Sequence, residues 1–272
     1  MQWPIGQPPF QWQGGINRES AQARGLVGWW TFPPSGVTTI IHNRALSAVT
    51  LSGTLYGGLS TTVSGNGTVL NLDGSNDYVV ISANALLNNP YPTLSCWFWS
   101  NNTGNNKMML MKAHSSHANP YYILGMRHAG TNNLFMDITV NGTWNSLGPY
   151  TAPNGQWNHA ALSYDGAKIL CISNGVLRQT TTVSGTAATT NTPLLFGANN
   201  NLAKTSTYCF PGLLHDVRLY NRGLSEAELF RLYDPATRWE LYQPPRPVTW
   251  WIPPAAASAV PRMMQAYRQR RG

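Results

Sequence analysis

The 272-residue chain has ten carboxylates, and their positions limit the chemistry it can carry. Cleavage of a glycosidic bond uses two carboxylates, one as acid and one as base or nucleophile. The glutamates are Glu19, Glu226, Glu228 and Glu240, which leaves none between residues 19 and 226. The aspartates of that interval are Asp73, Asp77, Asp137, Asp165 and Asp216. No two of them stand two apart, so no strand sets a neighbouring pair on one face. An enzyme working through paired carboxylates is therefore not expected.

Metal chemistry has weaker candidates. Asp73 and Asp77 stand close in sequence with Asn71 and Asn76, and oxygen donors so grouped could hold calcium. His114 and His117 flank two serines but have no further zinc ligands at a recognisable spacing. The cysteines, Cys96, Cys171 and Cys209, are odd in number and show no C-x-x-C pairing, so buried free thiols are expected. Apart from the calcium option, no cofactor is expected. Sugar recognition needs an aromatic ring to stack on and amides to bond hydroxyls. Trp144 with Asn141 and Asn145 offers that set, and the asparagines at 199–201 are a second possibility.

The ends of the chain carry the remaining reactive surface. Trp3, Phe10 and Trp12 at one end, and Trp239, Tyr242, Arg246, Trp250 and Trp251 at the other, are interleaved with proline. Segments so rich in proline cannot build a core of their own, so their aromatic groups need another surface. Trp, Tyr and Arg are also the residue types enriched at binding hot spots. Docking on a partner is the favoured reading, and folding back on the same body is the alternative. After Asp234 there are six arginines against Glu240 alone, a net +5. Most of the chain's +8 therefore lies in this arm, which is compatible with an acidic partner; nucleic acid is not the expected one.

The elements that must position these groups are strands. Charged residues make up only 10% of the chain, with Asn, Thr, Ser and Gly in their place, a mixture suited to short strands and tight turns. Strand-like runs occur at 25–32, 68–72, 77–82, 93–100, 107–112, 121–127, 134–140, 156–164, 167–173, 176–183, 193–197 and 211–220. Asp73-Gly74, Asn141-Gly142, Asp165-Gly166 and Asn174-Gly175 mark turns between them. Residues 157–164 alternate, yet neither face is strongly polar, which fits a sandwich core rather than an exposed sheet. One helix is expected over 224–233, with Ser225 and Glu228 as a capping box and Asp234-Pro235 as its stop. Arg218, set among apolar residues, is expected to pair with a carboxylate. The expected organisation is an arm over 1–24, a body over 25–234 and a second arm over 235–272. The N-terminus has no basic stretch followed by an apolar run, so no secretory leader is expected. No apolar run is long enough to span a membrane.

Four motifs carry a family resemblance. Residues 25–32 (GLVGWWTF) resemble the opening strand of LamG-like jelly-roll domains of the concanavalin A-like lectin/glucanase superfamily. Residues 70–79 (LNLDGSNDYV) are similar to that family's Asp-Gly turn. Residues 155–159 (GQWNH), with Tyr164-Asp165-Gly166, resemble its central Trp strand, and 210–225 (FPGLLHDVRLYNRGLS) its closing strand. The four occur in the family's order, and the arms lie outside them. His215 stands where the family often has Asp, which removes one possible calcium ligand.

The resemblance implies an all-β, antiparallel two-sheet jelly roll with one short C-terminal helix and extended terminal arms. Tailed phages commonly encode single-domain proteins of this kind. By that likeness the chain is expected to be a non-enzymatic virion structural protein, a capsid decoration or head-fibre-like subunit. It would be made in the host cytoplasm, be homo-oligomeric, and bind major capsid or other virion proteins through its arms. The alternative is a lectin-like module for a host or surface glycan.

Overall fold

The structure, a computed structural model, describes residues 15–32, 39–45, 51–64, 67–101, 106–113, 120–127, 133–199 and 208–242. Of the residues singled out above, Trp3, Phe10, Trp12, Arg246, Trp250 and Trp251 lie outside these, as do His114 and His117.

The described strands are, in order, β1 (Leu26–Trp30), β2 (Ile40–Ile41), β3 (Gly53–Tyr56), β4 (Ser60–Ser64) and β5 (Gly67–Asp73). Then come β6 (Tyr78–Ile81), β7 (Thr93–Trp99), β8 (Lys107–Ala113), β9 (Pro120–Arg127) and β10 (Asn133–Val140). The last are β11 (Thr143–Thr151), β12 (Trp157–Tyr164), β13 (Lys168–Ser173), β14 (Val176–Thr182), β15 (Leu194–Phe196) and β16 (Pro211–Tyr220). Helix α1 (Glu226–Tyr233) follows. Every named strand pair is antiparallel.

Two sheets form. The first runs β14-β13-β12-β7-β16-β5-β4. Its strand β16 is shared lengthwise: residues 211–214 pair with β5, and 217–220 pair with β1. The second runs β11-β10-β9-β8-β15-β6-β3-β2. Between them lies the main core, with Leu94, Phe98, Leu162 and Leu214 from the first sheet facing Leu124, Met136, Ile138 and Phe196 from the second. Burying side chains of this size stabilises the fold by about 1.5–3 kcal/mol each. This is the two-sheet jelly-roll sandwich that the sequence predicts.

The tight hairpins follow from their residues. Asn141-Gly142 joins β10 to β11 and Asn174-Gly175 joins β13 to β14, and all four residues have positive φ (48°, 78°, 51° and 74°). Two consecutive residues in that region turn the chain with the twist that hairpin strands need. Ser225 and Glu228 form the expected capping box on α1.

Strands β2, β3, β4 and β11 were not expected. β2, β4 and β11 contribute edges, where polar residues are tolerated, and Pro149 in β11 is placed as strand prolines must be. All three cysteines are buried free thiols.

Candidate functional site

The alternation along β12 sorts its side chains onto two faces. Ala160, Leu162 and Tyr164 enter the main core. Trp157, His159, Ala161 and Ser163 face outward, yet all are buried. The cover is the chain's own ends. Ala23, Leu229, Leu232, Leu241 and Tyr242 form a second apolar cluster with Trp29, Ala161 and Ile172 of the sheet.

This layer corrects the expectation for two residues. Trp239 and Tyr242 were assigned to partner docking, but both fold back on the body. Tyr242 is only 8% exposed and meets Trp29 edge-on, with ring centroids 5.1 Å apart. Trp239 packs against the same cluster and against Tyr242. The expected boundaries at 24/25 and 234/235 therefore fall inside a continuously packed layer. The physical reason is area: these rings remove apolar surface of the outer sheet from water.

An ionic lock holds the layer down. In β16 the register against β7 shifts between His215 and Arg218, and Asp216 takes φ 51°. This bulge puts His215, Asp216 and Arg218 all on the outer side, while Leu214 and Val217 stay in the core. Arg218 donates Nε to Asp216 Oδ1 (2.9 Å) and Nη2 to Oδ2 (2.6 Å). Its Nη1 donates to Gln22 (2.6 Å), and Nη2 also reaches the Arg238 carbonyl (3.0 Å). Trp29 Nε1 donates to Asp216 at 2.8 Å. Gln22 in turn donates to the Thr237 carbonyl at 2.7 Å. One buried pair on the sheet thus binds both terminal segments. The Arg238 guanidinium lies 3.8 Å from the Trp97 ring centroid and 4.2 Å from that of Trp239, between two indoles.

The electrostatics follow from burial. Desolvation pushes the Asp216 carboxyl up, but Arg218 outweighs it and the pKa falls to about 2. Burial lowers His159 to about 3, helped by Arg238 and Arg218. Burial lowers His215 to about 4, against the opposing pull of Asp216. Both imidazoles are held neutral beside two buried cations.

The other predicted site residues are not brought together with this layer. Trp144 stands on β11 with 47% of its surface exposed. Its expected partners are otherwise engaged. Asn141 donates to the Ser184 carbonyl (3.0 Å) and accepts from Thr186 N (3.2 Å). Asn145 donates to the Thr143 carbonyl (3.0 Å). Asp73 Oδ1 accepts from Ser75 N (2.7 Å) and Asn76 N, and Asp77 Oδ2 accepts from Asp73 N (3.0 Å), so these two oxygens serve the turn itself, while Asp77 Oδ1 is buried with no hydrogen bond among the described residues. Among the described residues, no three His, Cys, Asp or Glu groups are placed to hold a metal.

A laminin G-type profile of the concanavalin A-like lectin/glucanases superfamily matches residues 73–230. The chain belongs to that superfamily. No curated protein matches its sequence. Among solved structures, this superfamily member is similar to domain 4 of AbnA, a GH43 extracellular arabinanase from Geobacillus stearothermophilus, in complex with arabinotriose. The TM-score is 0.57 at 17% identity, covering 77% of this chain and 98% of that one. It is also similar to the binding domain of Paraclostridial mosquitocidal protein 1 (0.59, 13%, covering 78% and 52%). A third similar structure is the receptor-binding domain of botulinum neurotoxin mosaic serotype C/D (0.58, 14%, covering 79% and 51%). The chain spans about half the length of these toxin domains. At such identities the likeness is one of fold.

Proposed function

We propose that this chain is a non-enzymatic display module, a sandwich carried on two arms that anchor it to a larger particle. The observation that carries this reading is the pairing of Ile16 with Tyr242. The flanking bond runs from Asn17 N to the Leu241 carbonyl at 2.9 Å. The described terminal segments, which end at Gly15 and Tyr242, therefore lie side by side on the body. The second arm carries five arginines and no acid. A capsid decoration or head-fibre-like subunit of a tailed phage, homo-oligomeric and held to major capsid or other virion proteins, fits this plan. The non-enzymatic part is supported by where the body's aspartates go: Asp73, Asp77 and Asp165 into turns, Asp216 to Arg218, and Asp137 to Ser146.

The test is a truncation after Tyr242, the last described residue packed on the body. The truncated protein should fold and fail to enter the particle. Normal incorporation would overturn the reading.

A second reading, carbohydrate binding, is favoured by the fold's likeness to a domain solved with arabinotriose and to toxin receptor-binding domains. A glycan array probed with the full chain tests it; an array with no signal would remove it.

A further inference from the structure

We infer that the first sheet carries a binding recess for a neutral saccharide, centred on Trp99, Asn71 and Asn101. The inference rests on the carbohydrate-binding reading and places the ligand away from Trp144. Strands β5, β16 and β7 assemble the recess. Asn71 is in register with Leu213, and Leu213 with Trp99, so three side chains form one row across three strands. Asn101 follows two residues after Trp99, and Pro211 closes the wall. The row lies on the outer face, next to Trp97 and Trp157, and among the described residues none of the terminal segments lines it. The space measures about 520 Å³ and is a shallow groove open to solvent, not an enclosed cavity.

The lining selects the ligand class. Asn71 and Asn101 are exposed, and their carboxamides make no hydrogen bond among the described residues. Trp99 is half-buried; its indole N–H is itself buried, so what it offers a ligand is ring surface. No lining residue is charged. An anion or cation would find no counter-charge, and a purely apolar ligand would leave the amides unused. A sugar ring has an apolar C–H face for the indole and hydroxyls that both donate and accept for carboxamides. The two amides of the Trp144 hairpin are committed to backbone groups; these two are not.

The experiment uses the full chain labelled with nitrogen-15, titrated with cellohexaose, xylohexaose, maltohexaose and, separately, the anionic hexamer of galacturonic acid. Indole N–H signals are followed, with that of Trp99 assigned through Trp99→Phe. A neutral oligosaccharide should shift the Trp99 signal saturably. The double substitution Asn71→Ala and Asn101→Ala, at two exposed positions, should weaken binding at least ten-fold while leaving the fold intact by circular dichroism. Trp144→Ala should change it less than two-fold. Binding that spares the Trp99 signal, survives the double substitution or prefers the anionic hexamer overturns the recess. Loss of binding through Trp144→Ala alone would overturn the recess and leave the carbohydrate reading standing. No binding to any neutral oligosaccharide would overturn both.

Discussion

Arg218 grips Asp216 through two nearly parallel hydrogen bonds, two residues away on the same strand, and both side chains are almost wholly buried. A pair this short in sequence would contribute little at a surface. Here it is the point to which residues from both ends of the chain attach.

Removing one partner should therefore cost far more than a surface pair would. Asp216→Ala leaves the Arg218 guanidinium buried without its counter-charge, and about 3–5 kcal/mol of stability should be lost. Arg218→Leu should cost a similar amount. Urea unfolding of the two single variants and the double variant checks this. The double should be less destabilised than the sum of the singles, because the second change removes a group already orphaned.

Acid should weaken the protein before carboxylates begin to titrate. His159 and His215 have folded pKa values of about 3 and 4, below the ordinary 6.5. The unfolded chain binds protons at these histidines below pH 6.5 while the folded chain does not. Stability is therefore full above about 6.5 and falls as pH drops towards 4, at up to about 1.4 kcal/mol per pH unit for each histidine. Asp216, lowered to about 2, adds its own loss only below its ordinary 3.8. Calorimetric Tm values between pH 7.5 and 4 should show the slope. His159→Gln with His215→Gln should flatten it.

The position of a C-terminal cut should decide between a folded and a damaged body. Ending the chain after Tyr242 should leave Tm within a few degrees of the intact protein. Ending it after Asp234 removes Arg238, Trp239, Leu241 and Tyr242 from the outer layer and exposes Trp29, which is fully buried. That chain should lose several kcal/mol, on the order of about 3–5 for each large ring removed, and should bind a hydrophobic dye.

None of the three thiols should react in the folded state. Cys96, Cys171 and Cys209 are buried, and burial pushes Cys171 up to about 12 and Cys96 higher still. Mass spectrometry after iodoacetamide at pH 8 should find no adduct natively and three after denaturation. A native adduct would show that one strand opens on the labelling timescale.

The sandwich was legible in the sequence because its central strands advertise themselves. Residues 93–100 and 156–164 are apolar on both faces, and the Asn-Gly pairs admit few conformations besides a tight turn. The edge strands were not legible. β11 contains Gly148 and Pro149, and β4 is mostly Ser and Thr, compositions that read as loop until a neighbour pairs with them. The layer of terminal segments was missed for a different reason. Trp239 and Tyr242 look like an unpartnered hot spot when the outer face of β12 is taken as already covered. The clue was present in residues 157–164: a sheet with no polar face needs a cover on each side, and only the ends of the chain were left to supply one. The Trp99 recess had no sequence signal, since Asn71, Trp99 and Leu213 are brought into one row only by register.

The side-by-side placement of the two terminal segments bears on how the gene for such a domain can move. A unit whose first and last described segments pair with each other suits splicing into a surface loop of another protein without parting any of its strands. The host sees only a short gap bridged, and the sandwich sees only its existing bridge between Ile16 and Tyr242 kept closed. Tolerance of that kind of insertion is built into the place where these two segments meet.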